Sequence, residues 1–311
     1  MGAYINSSNR IDISDITNED GLFDFVGYAD LTDSRIESIA ENDKIKYVQI
    51  SHCLPDIAFE NIDRILEKRP DITFRLYGCY GEEHFDLSIL EKMPHLTRLN
   101  IDLHIAERQD MICPETICNI KNLKSLTLNI FDLRDYSFVK NLPLDFEELS
   151  IFSDTMGPGV KFDCEWLLRY KRLTDLYLGK KVKKNIKSIA NLPSLKHLSL
   201  RGIKINSLEF LKNCNLESLS LLWCGMNDLN ELREFTSLKY LELWRILKLE
   251  DISFISSLTN LEVFKLQDLN RIHYLPDLEG LDKLRKIILI NVPIDREILP
   301  ENIRQLVSEW E

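Results

Sequence analysis

Apolar and polar residues alternate in short segments that recur along the chain. In one such segment, Leu195, Leu198 and Leu200 form the pattern L-x-x-L-x-L, with polar His197 and Ser199 next to the last two leucines. An alternation with a period of two places the leucines on one face of a short β-strand and the polar residues on the other. We therefore expect a strand wherever the pattern returns.

The pattern returns at nearly constant spacing in the C-terminal half. Five consecutive segments begin 21, 22, 23 and 23 residues apart. Their first residues are Leu195, Leu216, Leu238, Leu261 and Leu284. One strand of this kind cannot bury its apolar face alone, whereas strands that stack side by side form a parallel sheet with a continuous core behind it.

This motif and its period resemble the leucine-rich repeat family. Less regular copies extend the resemblance over most of the chain, from Ile45 to Leu289, with short bacterial-type repeats of 21–27 residues. The resemblance implies an α/β solenoid: a leucine-rich repeat horseshoe with a curved parallel β-sheet on its concave face and helices or 3₁₀ turns on its convex face. The fold itself implies little about function, because function depends on exposed residues.

A solenoid grows along one axis, so we expect one continuous domain despite the length of 311 residues. Residues 1–44 are predicted to form an N-terminal cap and a first atypical repeat, residues 45–293 the repeats, and residues 294–311 a C-terminal cap. About twelve strands are expected, the first at Phe23 and Phe25. Between Pro55 and Arg69 the spacing of apolar residues predicts a full α-helix.

Charge is distributed unevenly along the chain. The net charge of −11 makes the molecule a poor candidate for binding nucleic acid. Residues 1–150 hold 28 acidic and 15 basic side chains, which is suited to steering a basic partner. Residues 151–200 hold 4 acidic and 10 basic side chains, and the lysines near Lys180 form either a solvated loop or a contact for an acidic surface or a phosphate.

The seven cysteines argue against a complete disulfide framework, because their number is odd. Cys53, Cys79 and Cys224 each come shortly after a strand segment, where leucine-rich repeats place a buried residue, and we expect them to be reduced and structural. The sequence begins without the basic and apolar pattern of a secretion signal, and no apolar stretch is long enough to span a membrane. A cytoplasmic location is therefore expected.

Catalytic motifs are absent from the sequence. There is no phosphate-binding glycine loop, no zinc-protease motif and no nucleophile elbow, and the six histidines are scattered. We predict a protein that is not an enzyme and that uses no cofactor and no metal ion.

A partner protein is expected to bind the side chains that point away from the core on the concave face. Exposed tryptophan, tyrosine and arginine are typical of binding hot spots. The predicted partner-binding residues are Trp244, Tyr240, Trp223, Leu222, Arg245, Arg201, Glu242, Tyr177, Phe152 and Lys265. In the alternative interpretation, Trp223 and Trp244 pack against each other and only cover the edge of the sheet.

Three functions remain open at this point. The first is an adaptor or scaffold that recognises a protein on its concave face. The second is an inhibitor or immunity protein that neutralises a toxin or a basic enzyme. The third is a secreted or surface adhesin of the internalin kind, whose repeats resemble the C-terminal ones in length. The sequence does not predict an oligomeric state.

Overall fold

A computed structural model of the protein describes residues 8–18, 25–78, 85–105, 108–110 and 112–308. Contacts between residues divide the chain into two compact units, Met1–Phe162 and Asp163–Glu311. Each unit is described by itself, and the expectation of one continuous domain stays a prediction. In the described part of the chain, no helix is both long and apolar enough to cross a membrane.

The first unit contains a sheet of parallel strand pairs in the order β7-β6-β5-β4-β3-β1-β2. Its strands are β1 (Arg10–Ser14), β2 (Phe25–Gly27), β3 (Tyr47–Ile50), β4 (Thr73–Tyr77), β5 (Arg98–His104), β6 (Ser125–Phe131) and β7 (Glu148–Ile151). Two α-helices, α1 (Asp33–Glu41) and α2 (Asp56–Lys68), lie between the early strands. The later connections contain 3₁₀ helices at Leu87–Lys92, Pro114–Asn119 and Ser137–Asn141, and another precedes α1 at Tyr28–Asp30.

Helix α2 forms where the spacing of apolar residues predicts it. Ala58, Phe59, Ile62, Ile65 and Leu66 recur at helical spacing and are buried. This apolar stripe packs toward the sheet, and the ring of Phe59 meets that of Phe74 on β4 edge to face, with 6.2 Å between the centroids.

The second unit repeats a strand and a short 3₁₀ helix with greater regularity. Its strands are β8 (Asp175–Gly179), β9 (His197–Arg201), β10 (Ser218–Leu222), β11 (Tyr240–Trp244), β12 (Val263–Gln267), β13 (Lys286–Ile290) and β14 (Val307–Ser308). They pair in parallel and in chain order. The 3₁₀ helices are Cys164–Arg169, Ile186–Asn191, Glu209–Leu211, Asn230–Glu234 and Ser253–Ser257, and α3 (Glu301–Arg304) precedes β14.

Equivalent leucines of neighbouring strands stack in register. Leu198 pairs with Leu219, Leu219 with Leu241, and Leu241 with Phe264. These four side chains are no more than 1% exposed. Because each side chain is covered by its equivalents in the adjacent repeats, a repeat of about 22 residues buries an apolar face that it cannot bury alone.

A residue with a left-handed backbone conformation directly follows each of six consecutive strands in the second unit. The residue directly after each of β8 to β13 has a positive φ, between 32° and 65°. These residues are Lys180, Gly202, Trp223, Arg245, Asp268 and Asn291. We call this place in the repeat the left-handed position.

The left-handed position extends the sheet by one hydrogen bond and then turns the chain inward. The backbone N–H of Trp223 donates to the carbonyl of Trp244 at 2.7 Å, and that of Arg245 to the carbonyl of Gln267 at 2.9 Å. After four of the six, at Gly202, Trp223, Arg245 and Asp268, the next residue is buried in the core, as with Cys224, which is 2% exposed. A positive φ is costly for a residue with a Cβ, so glycine, asparagine and aspartate suit this position best.

Several expectations of the sequence analysis are confirmed and several are wrong. The parallel sheet, α2 and the short 3₁₀ helices occur as predicted. The described strands number fourteen, not about twelve, because β1 and β14 lack the leucine motif that defined the prediction. Cys53 is exposed rather than buried, whereas Cys224 is buried, and Cys79 lies outside the described residues.

We expect Gly202→Ala to destabilise the second unit. At φ +65° an added Cβ meets the left-handed strain and lies 3.2 Å from Cγ of Lys180, so the free energy of unfolding should fall by about 1–2 kcal/mol. The midpoint of urea unfolding measures this change. Gly225→Ala is the matched control, because its Cβ meets nothing within 4 Å. Equal midpoints for the two variants would contradict the role of the left-handed position.

A carboxylate shared by two lysines connects three successive repeats at the start of their strands. Lys196 Nζ lies 2.8 Å from Oε1 of Glu217, and Lys239 Nζ lies 2.6 Å from Oε2. The hydrogen bond from Lys196 and then the one from Lys239 lower the pKa of Glu217 to about 2.

We expect the carboxyl resonance of Glu217 to titrate near pH 2 in an NMR titration. A lowered folded-state pKa means that this contribution to stability is present above the pKa of the unfolded chain and is lost as the pH falls through about 2. In Lys239→Gln the pKa should rise toward that of an ordinary glutamate. An ordinary pKa in the unmodified protein would show that the lysines do not hold this carboxylate in solution.

Candidate protein-binding surface

Four predicted residues come together at one end of the sheet in the second unit. Arg201 and Trp244 are the last residues of β9 and β11, and Trp223 and Arg245 occupy the left-handed positions after β10 and β11. The register places Leu222, the last residue of β10, between Arg201 and Trp244. We call Arg201, Trp223, Trp244 and Arg245 the Trp223 cluster.

The ring of Trp223 is the centre of this cluster. It meets the ring of Trp244 edge to face, with 5.7 Å between the centroids and 78° between the planes. The guanidinium carbons of Arg201 and Arg245 each lie 5.2 Å from the Trp223 ring, within the range of cation–π attraction. Trp223 remains 39% exposed, so it is held in place by its neighbours and still accessible to a partner.

Trp244 is fixed by a hydrogen bond that the sequence analysis did not foresee. Its indole Nε1 donates to Oδ2 of Asp268 at 2.8 Å, and Nδ2 of Asn291 donates to Oδ1 of the same carboxylate at 2.7 Å. These two hydrogen bonds, first that of Asn291, lower the pKa of Asp268. Asp268 and Asn291 occupy left-handed positions. The recurrence of Asp or Asn directly after a strand is a sequence pattern from which these two residues could have been singled out.

Two predicted contact residues are buried instead of exposed. Leu222 is 6% exposed, because it lies between the larger Arg201 and Trp244 in register. Glu242 is 2% exposed, and it forms an ion pair with Lys265 at 3.3 Å beneath the surface. Alternate strand residues do point away from the core, as the sequence pattern predicts. The size of the neighbouring side chains, however, determines how exposed each of these residues is to solvent.

The remaining predicted residues are half-buried. In the second unit, Tyr240 lies in register between Ser218 and Val263, and Tyr177 lies opposite Ser199. Phe152 belongs to the first unit, where its backbone N–H donates to the carbonyl of Leu128 at 3.0 Å. The inclusion of Phe152 in one surface with the others stays a prediction.

The face of the sheet that points away from the core has a different character in the first unit. Arg75 is 8% exposed, and it donates hydrogen bonds to Oε1 of Gln49 at 2.7 Å and to Oδ2 of Asp102. Asn129 donates to the other oxygen of Asp102 at 2.9 Å. These polar side chains bind one another, although Nε of Arg75 is buried and finds no hydrogen-bond partner among the described residues. Because they are largely engaged with each other, they offer a partner less than the exposed ring of Trp223 does.

Within the described ranges, no group of three or more histidine, cysteine, aspartate or glutamate residues is placed to hold a metal ion. The six described cysteines form no disulfide with one another.

The stacked strands, the in-register leucines and the short convex connections define a leucine-rich repeat fold. Among solved structures, the chain is similar to the internalin InlF of Listeria monocytogenes, with 19% identity and a TM-score of 0.50 over 86% of this chain and 81% of that one. A leucine-rich repeat protein of Leptospira interrogans matches with 17% identity and a TM-score of 0.47 over 88% of this chain and 79% of that one. The similarity to InlF confirms, at the level of the fold, the resemblance found in the sequence.

No protein-family model matches the sequence, and no curated protein matches it.

We expect Asp268→Gly to release the indole of Trp244. Glycine keeps the left-handed conformation but removes the carboxylate that accepts the indole hydrogen bond. The indole N–H resonance of Trp244 should shift, and its exchange with solvent should become faster in NMR spectra. Asn291→Gly is the control, because it leaves the acceptor in place; an unchanged Trp244 resonance in Asp268→Gly would contradict the anchoring role.

Proposed function

We propose that this chain is a non-enzymatic protein-recognition module that acts as an adaptor or scaffold and binds its partner through the Trp223 cluster and Tyr240. The observation that carries the proposal is the exposed ring of Trp223, which two arginines and a second tryptophan contact. Tryptophan, tyrosine and arginine are the residue types that dominate binding energy in protein interfaces.

The rigidity of the cluster supports the same proposal. Trp244 is anchored to Asp268, and Trp223 is anchored to Trp244, so the aromatic surface is already ordered before a partner arrives. An ordered surface loses less conformational entropy on binding, which favours affinity.

A second function is favoured by the acidic first half of the chain. Residues 1–150 carry 28 acidic and 15 basic side chains, a surplus suited to a partner with a basic surface. An inhibitor or immunity protein that neutralises a basic enzyme or a toxin would use this negative electrostatic potential to attract its target. Co-purification with a basic enzyme, and loss of its activity on mixing, separates this function from a scaffold.

We also propose that the protein is located in the cytoplasm. Six described cysteines that form no disulfide with one another, two of them exposed, fit a reducing compartment, which supports the cytoplasm. The fold shared with the internalin InlF keeps a secreted or surface adhesin as the third alternative. Surface labelling of intact cells distinguishes the two locations.

We expect Trp244→Ala/Tyr240→Ala to lose the partner that the unmodified chain retains in a pull-down read by mass spectrometry. Removal of two hot-spot side chains should weaken the affinity for the recovered protein at least about tenfold. Circular dichroism and urea unfolding check that the variant is folded.

Ile298→Ala is the matched control for this experiment, because Ile298 is an exposed apolar residue of the same unit, 72% exposed, and lies outside the cluster. A partner retained equally by all three proteins would exclude the proposed surface.

A further inference from the structure

Three of the six left-handed positions hold residues that are poorly suited to them. Gly202, Asp268 and Asn291 are of types that tolerate a positive φ, but Lys180 at 32°, Trp223 at 58° and Arg245 at 55° are not. Such outliers persist where the surroundings determine them, and they concentrate at functional sites. Two of the three, Trp223 and Arg245, are adjacent in space and form the exposed part of the Trp223 cluster.

The chemistry that these two positions add to the surface is aromatic and cationic. Arg245 is exposed, and among the described residues it forms no ion pair within 4 Å and its side chain donates no hydrogen bond. The neighbouring Asp268 accepts hydrogen bonds from Asn291 and Trp244, and the charge of Arg245 acts on its carboxylate without a direct ion pair. The positive charge of Arg245 is therefore partly offset by Asp268, whereas its N–H donors remain available at the surface.

An arginine beside an aromatic ring can still bind a carboxylate. The guanidinium N–H donors lie in its plane and match the two oxygens of a carboxylate. The cation–π contact with Trp223 places the guanidinium of Arg245 next to the ring, so a carboxylate on Arg245 and an apolar side chain on Trp223 would be neighbours.

We propose that the Trp223 cluster binds an acidic segment of the partner protein, with a glutamate or aspartate on Arg245 and an adjacent apolar side chain on Trp223. This inference rests on the proposed function and specifies the chemistry of the partner at this surface. It differs from the basic partner surface that the overall charge favours, because it depends on the local charge at the cluster.

The net charge of the chain makes such a site selective. At −11 the molecule repels acidic peptides in general. An acidic segment that binds must therefore gain its affinity from a local contact, and a like-charged background of this kind suppresses non-specific partners.

The test is a selection of displayed random twelve-residue peptides on the immobilised full chain, followed by affinity measurements on the enriched sequences. We expect enrichment of peptides with aspartate or glutamate beside an apolar residue. Arg245→Asn, which keeps a residue type suited to the left-handed position, should weaken their binding at least tenfold, and Trp223→Asn should do the same.

Lys248→Asn is the matched control, because it removes one exposed positive charge outside the cluster and should change the affinity by less than about twofold. The unfolding midpoint of Arg245→Asn should equal or exceed that of the unmodified chain, because the substitution relieves an unfavourable conformation. A large fall in both midpoint and affinity would assign Arg245 to the fold and overturn the proposal.

Other outcomes separate this inference from the proposed function. Enriched neutral peptides that depend on Trp223 but not on Arg245 would overturn the acidic segment and leave protein binding at the cluster intact. Acidic peptides that bind both variants and the unmodified chain equally would overturn the site. Failure to enrich any acidic sequence would also overturn the inference, whereas the pull-down tests the proposed function independently.

Discussion

Every strand of this protein depends on its neighbours to bury its apolar side chains. A leucine such as Leu219 is covered by Leu198 on one side and Leu241 on the other, and no repeat contains enough apolar surface to exclude water alone. The pairing register of the strands is therefore the physical requirement, because a shift by one residue would turn the leucines toward solvent, whereas the spacing varies from 21 to 23 residues and the leucines stay in register. The 3₁₀ helices and the left-handed positions serve the same register, since they return the chain to the next strand.

The fold could be predicted from the sequence wherever the motif is regular, because the period and the alternation both report burial. The prediction failed at the first strand, where Arg10-Ile-Asp-Ile-Ser alternates but lacks the leucines that start a repeat. This strand also lies between β2 and β3, out of chain order, which a repeat counted along the sequence does not reveal.

The candidate site could be predicted only in part. From the residue types and the motif we expected Trp223, Trp244, Arg201 and Arg245 to lie near one another, and in the structure they do. Their role in binding stays a prediction. Neither the burial of Glu242 nor the hydrogen bond from Trp244 to Asp268 could be predicted, although the position of Asp268 directly after a strand was a signal in the sequence. Burial depends on the sizes of side chains on adjacent strands, and the hydrogen bond joins residues that are 24 positions apart.

The left-handed position separates the rim of the sheet from the core in a way that bears on how such a protein can evolve. A substitution there alters a side chain at the rim, while the next residue after positions 202, 223, 245 and 268 continues to fill the interior. The cost is a local backbone preference, which a stable array of repeats tolerates. Positions 180, 202, 223, 245, 268 and 291 thus form a row of sites whose side chains can change without repacking a single leucine, although contacts within the row, such as that of Asn291 with Asp268, make some of them change together.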